Sequence, residues 1–439
     1  MPPQSSFHSY RTIRTFPSIR ARREIAWVAV GQAITLLGGF AAIKVLTITL
    51  GPQSYGRFAL GLTIAGLCNM FVYGPISQAV LRYYSISRDR GELAAYFSVL
   101  DRIYLRSAAA LALVALAAAG FALAALDSEW AGVAGAAILL GIGAGSEGYL
   151  ISVLSALRRR IAVAAYQAVD AILKPLLALG LFVVAGPNAR AALGGFFVAT
   201  VLVNGVQWLH ARHARPRNGP HAGEPIALRG QILAYVLSFA AFSAFGAINS
   251  YADRWIVLAM DGERDLGIYA AMSQIANTPF IVGVGLLTQL VLPVLFDRAG
   301  AAGSQPQLEQ ADRLLRACVG ASVAWMAAIV AAGWLLSEPL MLLLSSAQFA
   351  GRSELLWLIM LSSAVFQLGQ LLALKGLVYQ RPRVYFLPKA LQAATLVAFG
   401  LVWTRPYGLA GLVAALNLSS ALYVLAVLFA NRALRANRP

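Results

Sequence analysis

Apolar runs of about 20 residues recur from one end of this chain to the other, nearly free of charge. A helix rises about 1.5 Å per residue, so each run matches the hydrocarbon core of a bilayer, about 30 Å thick. Hydrocarbon offers no partner to backbone N–H and C=O groups, so such runs must be helical. Composition removes the water-soluble alternative. Of 439 residues, 59% are hydrophobic and 12% charged, against roughly 45–50% and 25% in soluble domains. Disorder is excluded by the same balance. The fold class expected is all-α integral membrane.

The runs predict about twelve helical spans, near 25–49, 58–81, 102–125, 131–157, 161–185 and 190–211, then 231–259, 267–295, 313–336, 353–379, 384–403 and 409–431. A basic N-tail (1–24) precedes them. The run after it is about 25 residues, too long for a signal-peptide core, and is read as the first span. Between the sixth and seventh spans lies a polar stretch with Arg212, Arg215, Arg217, Pro216, Pro220 and Pro225. The organisation expected is therefore an N-terminal six-helix lobe (25–211), a linker (212–230), a C-terminal six-helix lobe (231–431) and a basic C-tail (432–439).

Net charge is +17, from 35 Lys and Arg against 18 Asp and Glu. In a soluble protein that would suggest nucleic acid. Here 26 of the 35 cations fall in the tails and in alternate connections, while the opposite connections hold Arg57, Arg190, Arg264, Arg352 and Arg405, one each. This is the positive-inside pattern, and it places both termini in the cytoplasm. Nucleic acid loses its support as a partner. Cys68 and Cys318 sit inside apolar runs and are read as core residues, with no disulfide.

A weak repeat relates the halves. Gly56-Arg57-Phe58-Ala59 opens the second span and Gly267-Ile268-Tyr269-Ala270 the eighth, both Gly-x-aromatic-Ala. Repeats with a substrate site between them are a common transporter design.

Several patterns read as structure. Gly141, Gly143 and Gly145 mimic a phosphate loop but lie inside a span, where Gly-xxx-Gly permits close helix packing. His8, His210, His213 and His221 lie in the N-tail and around the linker without a cysteine or carboxylate cluster, so no metal site is expected. Asp261, Glu263 and Asp265 read as a solvated outer loop. Gly74-Pro75 and Pro279 can kink their helices.

Charges inside spans cost about 2.5–3.5 kcal/mol each at mid-bilayer on insertion scales, so each needs a partner or a cavity. Lys44 and Arg254 precede Gly56 and Gly267 by 12 and 13 residues, at nearly the same point of the repeat. They are expected to share a cavity. Lys375 lies near the inner end of its span. Asp253 points about 100° away from Arg254 around the helix and is expected to fasten the seventh span to a neighbour. Glu147 and Asp170 lie 12 and 11 residues from Arg159, at matching depth, with Lys174 one turn beyond Asp170. These three are expected to form one cluster in which a carboxylate takes a proton during transport.

The chain resembles the polysaccharide (O-antigen and exopolysaccharide) flippases of the multidrug/oligosaccharidyl-lipid/polysaccharide exporter superfamily. The likeness rests on Leu50-Gly51-Pro52-Gln53-Ser54-Tyr55-Gly56, Asp253-Arg254-Trp255-Ile256-Val257, Leu266-Gly267-Ile268-Tyr269-Ala270, Pro293-Val294-Leu295 and Tyr407-Gly408-Leu409-Ala410-Gly411, in this order on twelve spans. It implies two six-helix lobes in a V around a central cavity. It also implies transfer of a polyprenyl-diphosphate-linked oligosaccharide across the bacterial inner membrane by alternating access, and no enzyme activity. Lys44, Arg254, Lys174 and Lys375 are the expected diphosphate contacts, with Glu147 and Asp170 for ion coupling. No cofactor is expected. The partners are the lipid-linked glycan, membrane lipid and, from the resemblance, polysaccharide polymerase and chain-length machinery. A cation-coupled drug exporter would favour an acidic cavity, and a glycan polymerase or ligase a large outer loop; the sequence offers Lys44 and short loops instead.

Overall fold

The computed structural model describes residues 19–125, 128–215, 226–299, 305–379 and 381–436. The N-tail through residue 18, the linker's centre at 216–225 with Pro216, Arg217, Pro220, His221 and Pro225, and Arg438 lie outside the described residues.

Single glycines turn long helices into pairs. The helices Ile19–Cys68, Ile226–Ala299 and Phe386–Ala436 are each broken at one residue: Gly51 (φ 68°, ψ 169°), Gly262 (φ 84°, ψ −173°) and Gly408 (φ 56°, ψ −141°). A Cβ is excluded from such conformations, so these turns need glycine. Pro52 follows Gly51 at a helix start, where its missing N–H costs nothing. Among the described residues eight helical stretches are long and apolar enough to cross a membrane, and three of them are these glycine-broken pairs. With Leu93–Ala125, twelve spans result.

In chain order they are 19–50, 52–89, Leu93–Ala125, Ser128–Ala156, Arg160–Ala185, Ala189–Ala214, 226–261, 263–299, Gln305–Leu335, Leu356–Val378, 386–407 and 409–436. They are called the first to twelfth spans below. Helices run past the apolar runs that announced them: the second starts at 52 rather than 58, the third at Leu93 rather than 102. Apolarity marks only the part in hydrocarbon, whereas the helix continues into the polar interface. Two short elements were not foreseen. Between the ninth and tenth spans a short helix, Ser337–Leu344, and a 3-10 segment, Ala347–Leu355, fold along the non-basic side. The apolar stretch there is too short to read as a span.

The second span carries one π-turn, Asn69–Tyr73, closed by the Gly74 N–H on the Asn69 carbonyl. Pro75 lacks an N–H and crowds the carbonyl four residues back, so the wider turn accommodates it. Gly141 and Gly145 pack the fourth span there, against Cys68 and the Tyr73 ring, with no room for a Cβ. The main core joins both halves, with Phe58 and Leu193 beside Tyr269 and Leu412. A second core lies toward the basic ends. It takes in Leu228, Ile232 and Val236 of the seventh span beside Ile76, Val80 and Leu100. The first turns of the seventh span thus share a core with the first six helices.

Candidate functional site: a central cavity

Spans from both halves surround a cavity of about 450 Å³. Its charged residues are Glu147 of the fourth span, Asp170 and Lys174 of the fifth, and Arg254 of the seventh. Gln32, Gln167, Gln274 and Thr278 add neutral donors and acceptors. Gln32 donates to Gln167 at 3.0 Å, first span to fifth. Those spans approach closely because Gly31 and Gly38 lie against the Ala164 and Ala171 backbones.

Lys174 joins the two carboxylates. Its ammonium is paired with Asp170, one turn back, and stands 3.8 Å from Glu147. The second Asp170 oxygen, Oδ1, is buried without a hydrogen-bond partner. Two carboxylates thus share one ammonium, and a proton can neutralise the excess charge.

Arg254 is held from one side only. Its Nη1 donates to the Thr63 hydroxyl at 2.9 Å, and the guanidinium lies 6.0 Å from the Tyr251 ring centre. Its Nε is buried without a hydrogen-bond partner. Asp253 faces elsewhere and accepts the Tyr269 hydroxyl at 2.5 Å, linking the seventh span to the eighth.

Two expected cavity cations lie elsewhere. Lys44 does not meet Arg254. Its ammonium donates to the carbonyls of Leu342 and Ser345, at 2.7 and 2.6 Å. These groups close the short helix Ser337–Leu344, whose last carbonyls lack helical partners and carry the negative end of its dipole. Lys375 is buried at the basic end of the tenth span, 3.4 Å from Asp312, in a separate cavity. A buried ammonium needs a counter-charge, and Asp312 on the ninth span is within reach.

The side away from the basic connections is shut. The second and eighth spans cross with backbones touching, Gly56 against Glu263 and Gly267 against Pro52, where neither glycine has room for a Cβ. Beside the crossing Arg57 donates to Glu263 at 2.8 Å, Gln53 donates to the same oxygen at 2.9 Å, and Arg57 also pairs with Glu129. Arg352 stands 4.0 Å from Asp265. Glu263 and Asp265 are therefore not a freely solvated loop, as the sequence suggested: they meet cations from other elements. Beneath the clasp, Tyr55 packs on Phe58 and edge-on against Phe349, at 5.7 and 5.5 Å between ring centres.

The sequence reading missed this clasp, although the Gly56/Gly267 repeat was its signal. It also passed over the cavity glutamines, which stood out as uncharged polar residues in apolar runs. Among the described residues no three His, Cys, Asp or Glu side chains gather as metal ligands. His210 instead lies 3.1 Å from the Tyr166 hydroxyl.

Solved structures with the same architecture are transporters. The chain is similar to the lipid II flippase MurJ in an inward closed conformation, at 14% identity, covering 94% of this chain and 87% of that one with a TM-score of 0.68. An outward-facing multidrug resistance MATE transporter of the MOP superfamily matches at 14% identity, 94% and 96% coverage and a TM-score of 0.66. A MOP superfamily transporter from Pyrococcus furiosus, described as having a binding pocket of reverse polarity, matches at 13% identity, 95% coverage of each and a TM-score of 0.58. At such identities the likeness establishes the fold. No curated protein matches in sequence. The pattern of one family, polysaccharide biosynthesis protein, fits residues 21–298, well over half the chain. The chain therefore belongs to the polysaccharide biosynthesis protein family and carries the fold of the MOP superfamily transporters.

Proposed function

We propose that this protein flips a polyprenyl-diphosphate-linked oligosaccharide across the bacterial inner membrane, for surface or exported polysaccharide. Its basic side and both termini face the cytoplasm. The observation that carries this reading is Arg254: a guanidinium in a cavity between the halves, with a buried nitrogen left without a partner. A diphosphate is the ligand such a group suits, because guanidinium forks onto phosphate oxygens. The amides of Gln32, Gln167 and Gln274 offer both donors and acceptors, the chemistry that sugar hydroxyls need. Closure at the Gly56/Gly267 crossing fits a state that receives the head group from the basic side. Rocking of the halves would then release it on the other side, while the lipid tail stays in the bilayer.

The test is transfer of a fluorescent polyprenyl-diphosphate oligosaccharide across vesicles containing the purified protein. Arg254→Gln is expected to slow transfer at least about tenfold, roughly 1.4 kcal/mol. Unchanged transfer would overturn the reading. Glu147 and Asp170 favour a second one, a cation-coupled drug exporter, because carboxylates attract organic cations. Against it, Lys174 occupies the space between them. Efflux of a cationic dye by the same vesicles, without glycan transfer, would establish the exporter instead.

A further inference from the structure

The seam between the ninth and tenth spans holds two cavities end to end. At the basic end a cavity of about 270 Å³ is lined by Arg316 of the ninth span, Lys375 of the tenth and Arg432 of the twelfth, with one carboxylate, Asp312. Three cations against one anion leave two positive charges in excess. Lys375 and Asp312 are 4% and 6% exposed, so the pocket reaches from the surface into the interior. Asp312 is fully engaged, with Lys375 at 3.4 Å and the Tyr379 hydroxyl donating at 3.2 Å. Arg316 donates to the Asp312 main-chain carbonyl at 3.3 Å, and it and Arg432 stand exposed at the mouth.

The walls of this pocket are apolar, among them Val319 and Leu372. One helical turn further along the two spans, Val323 and Leu368 begin the second cavity, of about 420 Å³. It follows the seam to Trp334 and Trp357 between apolar side chains only. A cationic pocket thus lies one helical turn from an apolar cavity along the same two spans. The residues of both cavities are separate from those of the central one.

We propose that this seam seats one anionic phospholipid from the basic-side leaflet. Its phosphate sits among Arg316, Lys375 and Arg432, and an acyl chain lies along Val323 and Ala327 toward Trp334. Basic pockets between spans on the cytoplasmic side are suited to anionic head groups. Charge decides between lipid classes. A zwitterionic lipid brings an ammonium into a pocket that already holds three cations, whereas phosphatidylglycerol brings a single negative charge and hydroxyls.

The test uses the full chain in mixed phosphatidylglycerol and phosphatidylcholine nanodiscs, with retained lipid read by native mass spectrometry after extraction. Phosphatidylglycerol is expected to be retained over phosphatidylcholine. Arg316→Gln with Arg432→Gln, both at exposed positions, should cut that retention at least about tenfold. Ala327→Trp should cut it too, by filling the apolar cavity with the cations intact. Equal retention of the two lipids, or unchanged retention in the double variant, would overturn the proposal. Inorganic phosphate raising Tm in detergent as much as phosphatidylglycerol, with no effect of Ala327→Trp, would make the pocket a free phosphate site and reject the lipid. Displacement of phosphatidylglycerol by equimolar polyprenyl phosphate would assign the seam to a carrier lipid instead. Glycan transfer is read separately, so these outcomes do not depend on the Arg254 experiment.

Discussion

Four ionisable side chains, Glu147, Asp170, Lys174 and Arg254, define what the central cavity can hold, and Lys44 lies outside it. Arg254 lines the cavity with one hydroxyl, from Thr63, as its hydrogen-bond partner, so its charge faces a ligand there. Lys44 is consumed by two carbonyls. The contrast gives a paired prediction: Arg254→Gln slows glycan transfer at least about tenfold, while Lys44→Gln leaves it within about twofold and lowers thermal stability by about 1 kcal/mol, the scale of a charge at a helix end. Loss of transfer in Lys44→Gln at normal protein level would return that lysine to the transport path. Glu147 and Asp170 share Lys174, with one negative charge in excess when all three are ionised. Glu147→Gln leaves a neutral Asp170–Lys174 pair with nothing for a proton to neutralise. Its transfer rate is therefore expected to lose the pH dependence of the wild type. Parallel pH profiles in vesicles would remove Glu147 from coupling and leave it a structural role. Sequence spacing was enough to bring these three residues together, because helical rise fixes depth on neighbouring spans joined by a short turn. It misled for Lys44, whose depth was legible but whose partner is a short helix 298 residues away.

At the level of helices, the turn glycines and the crossing glycines do different work. Gly51, Gly262 and Gly408 end one helix and start the next in a single residue, so these three connections are too short to fold into anything else. Gly56 and Gly267 let the second and eighth spans touch through their backbones. The first group was half visible in the sequence as Gly-Pro and Tyr-Gly motifs. The second appeared only as a repeat, because a close approach between distant helices leaves no periodicity to read. The Arg57–Glu263 bond lies beside the crossing and joins the two halves. Glu263→Gln is expected to speed cysteine labelling at position 53 from the far side by several-fold, since the clasp loses its charge. Gly267→Val, which cannot close at all, should do so more strongly and stop transfer. Labelling that stays slow in both variants would mean that this crossing does not gate the cavity.

Across the whole molecule, the division of charge and the division of shape coincide. The basic connections all lie on one side, while the clasp and the single-glycine turns lie on the other. Positive connections stay in the cytoplasm during insertion, so the side that is shut here is predicted to be the periplasmic one. The cavity in this state would then load from the side where lipid-linked precursors are assembled. Single cysteines test this directly, with Cys68 and Cys318 replaced. Arg212→Cys lies at the basic end of the sixth span and Arg264→Cys beside the Gly262 turn, both exposed. In intact cells a membrane-impermeant maleimide is expected to label position 264 and spare position 212, with the order reversed in inside-out vesicles. The reversed pattern in cells would place the clasp in the cytoplasm. A flippase closed there would stand in its releasing rather than its loading state, so the same result would also reassign the step of the cycle that this conformation represents.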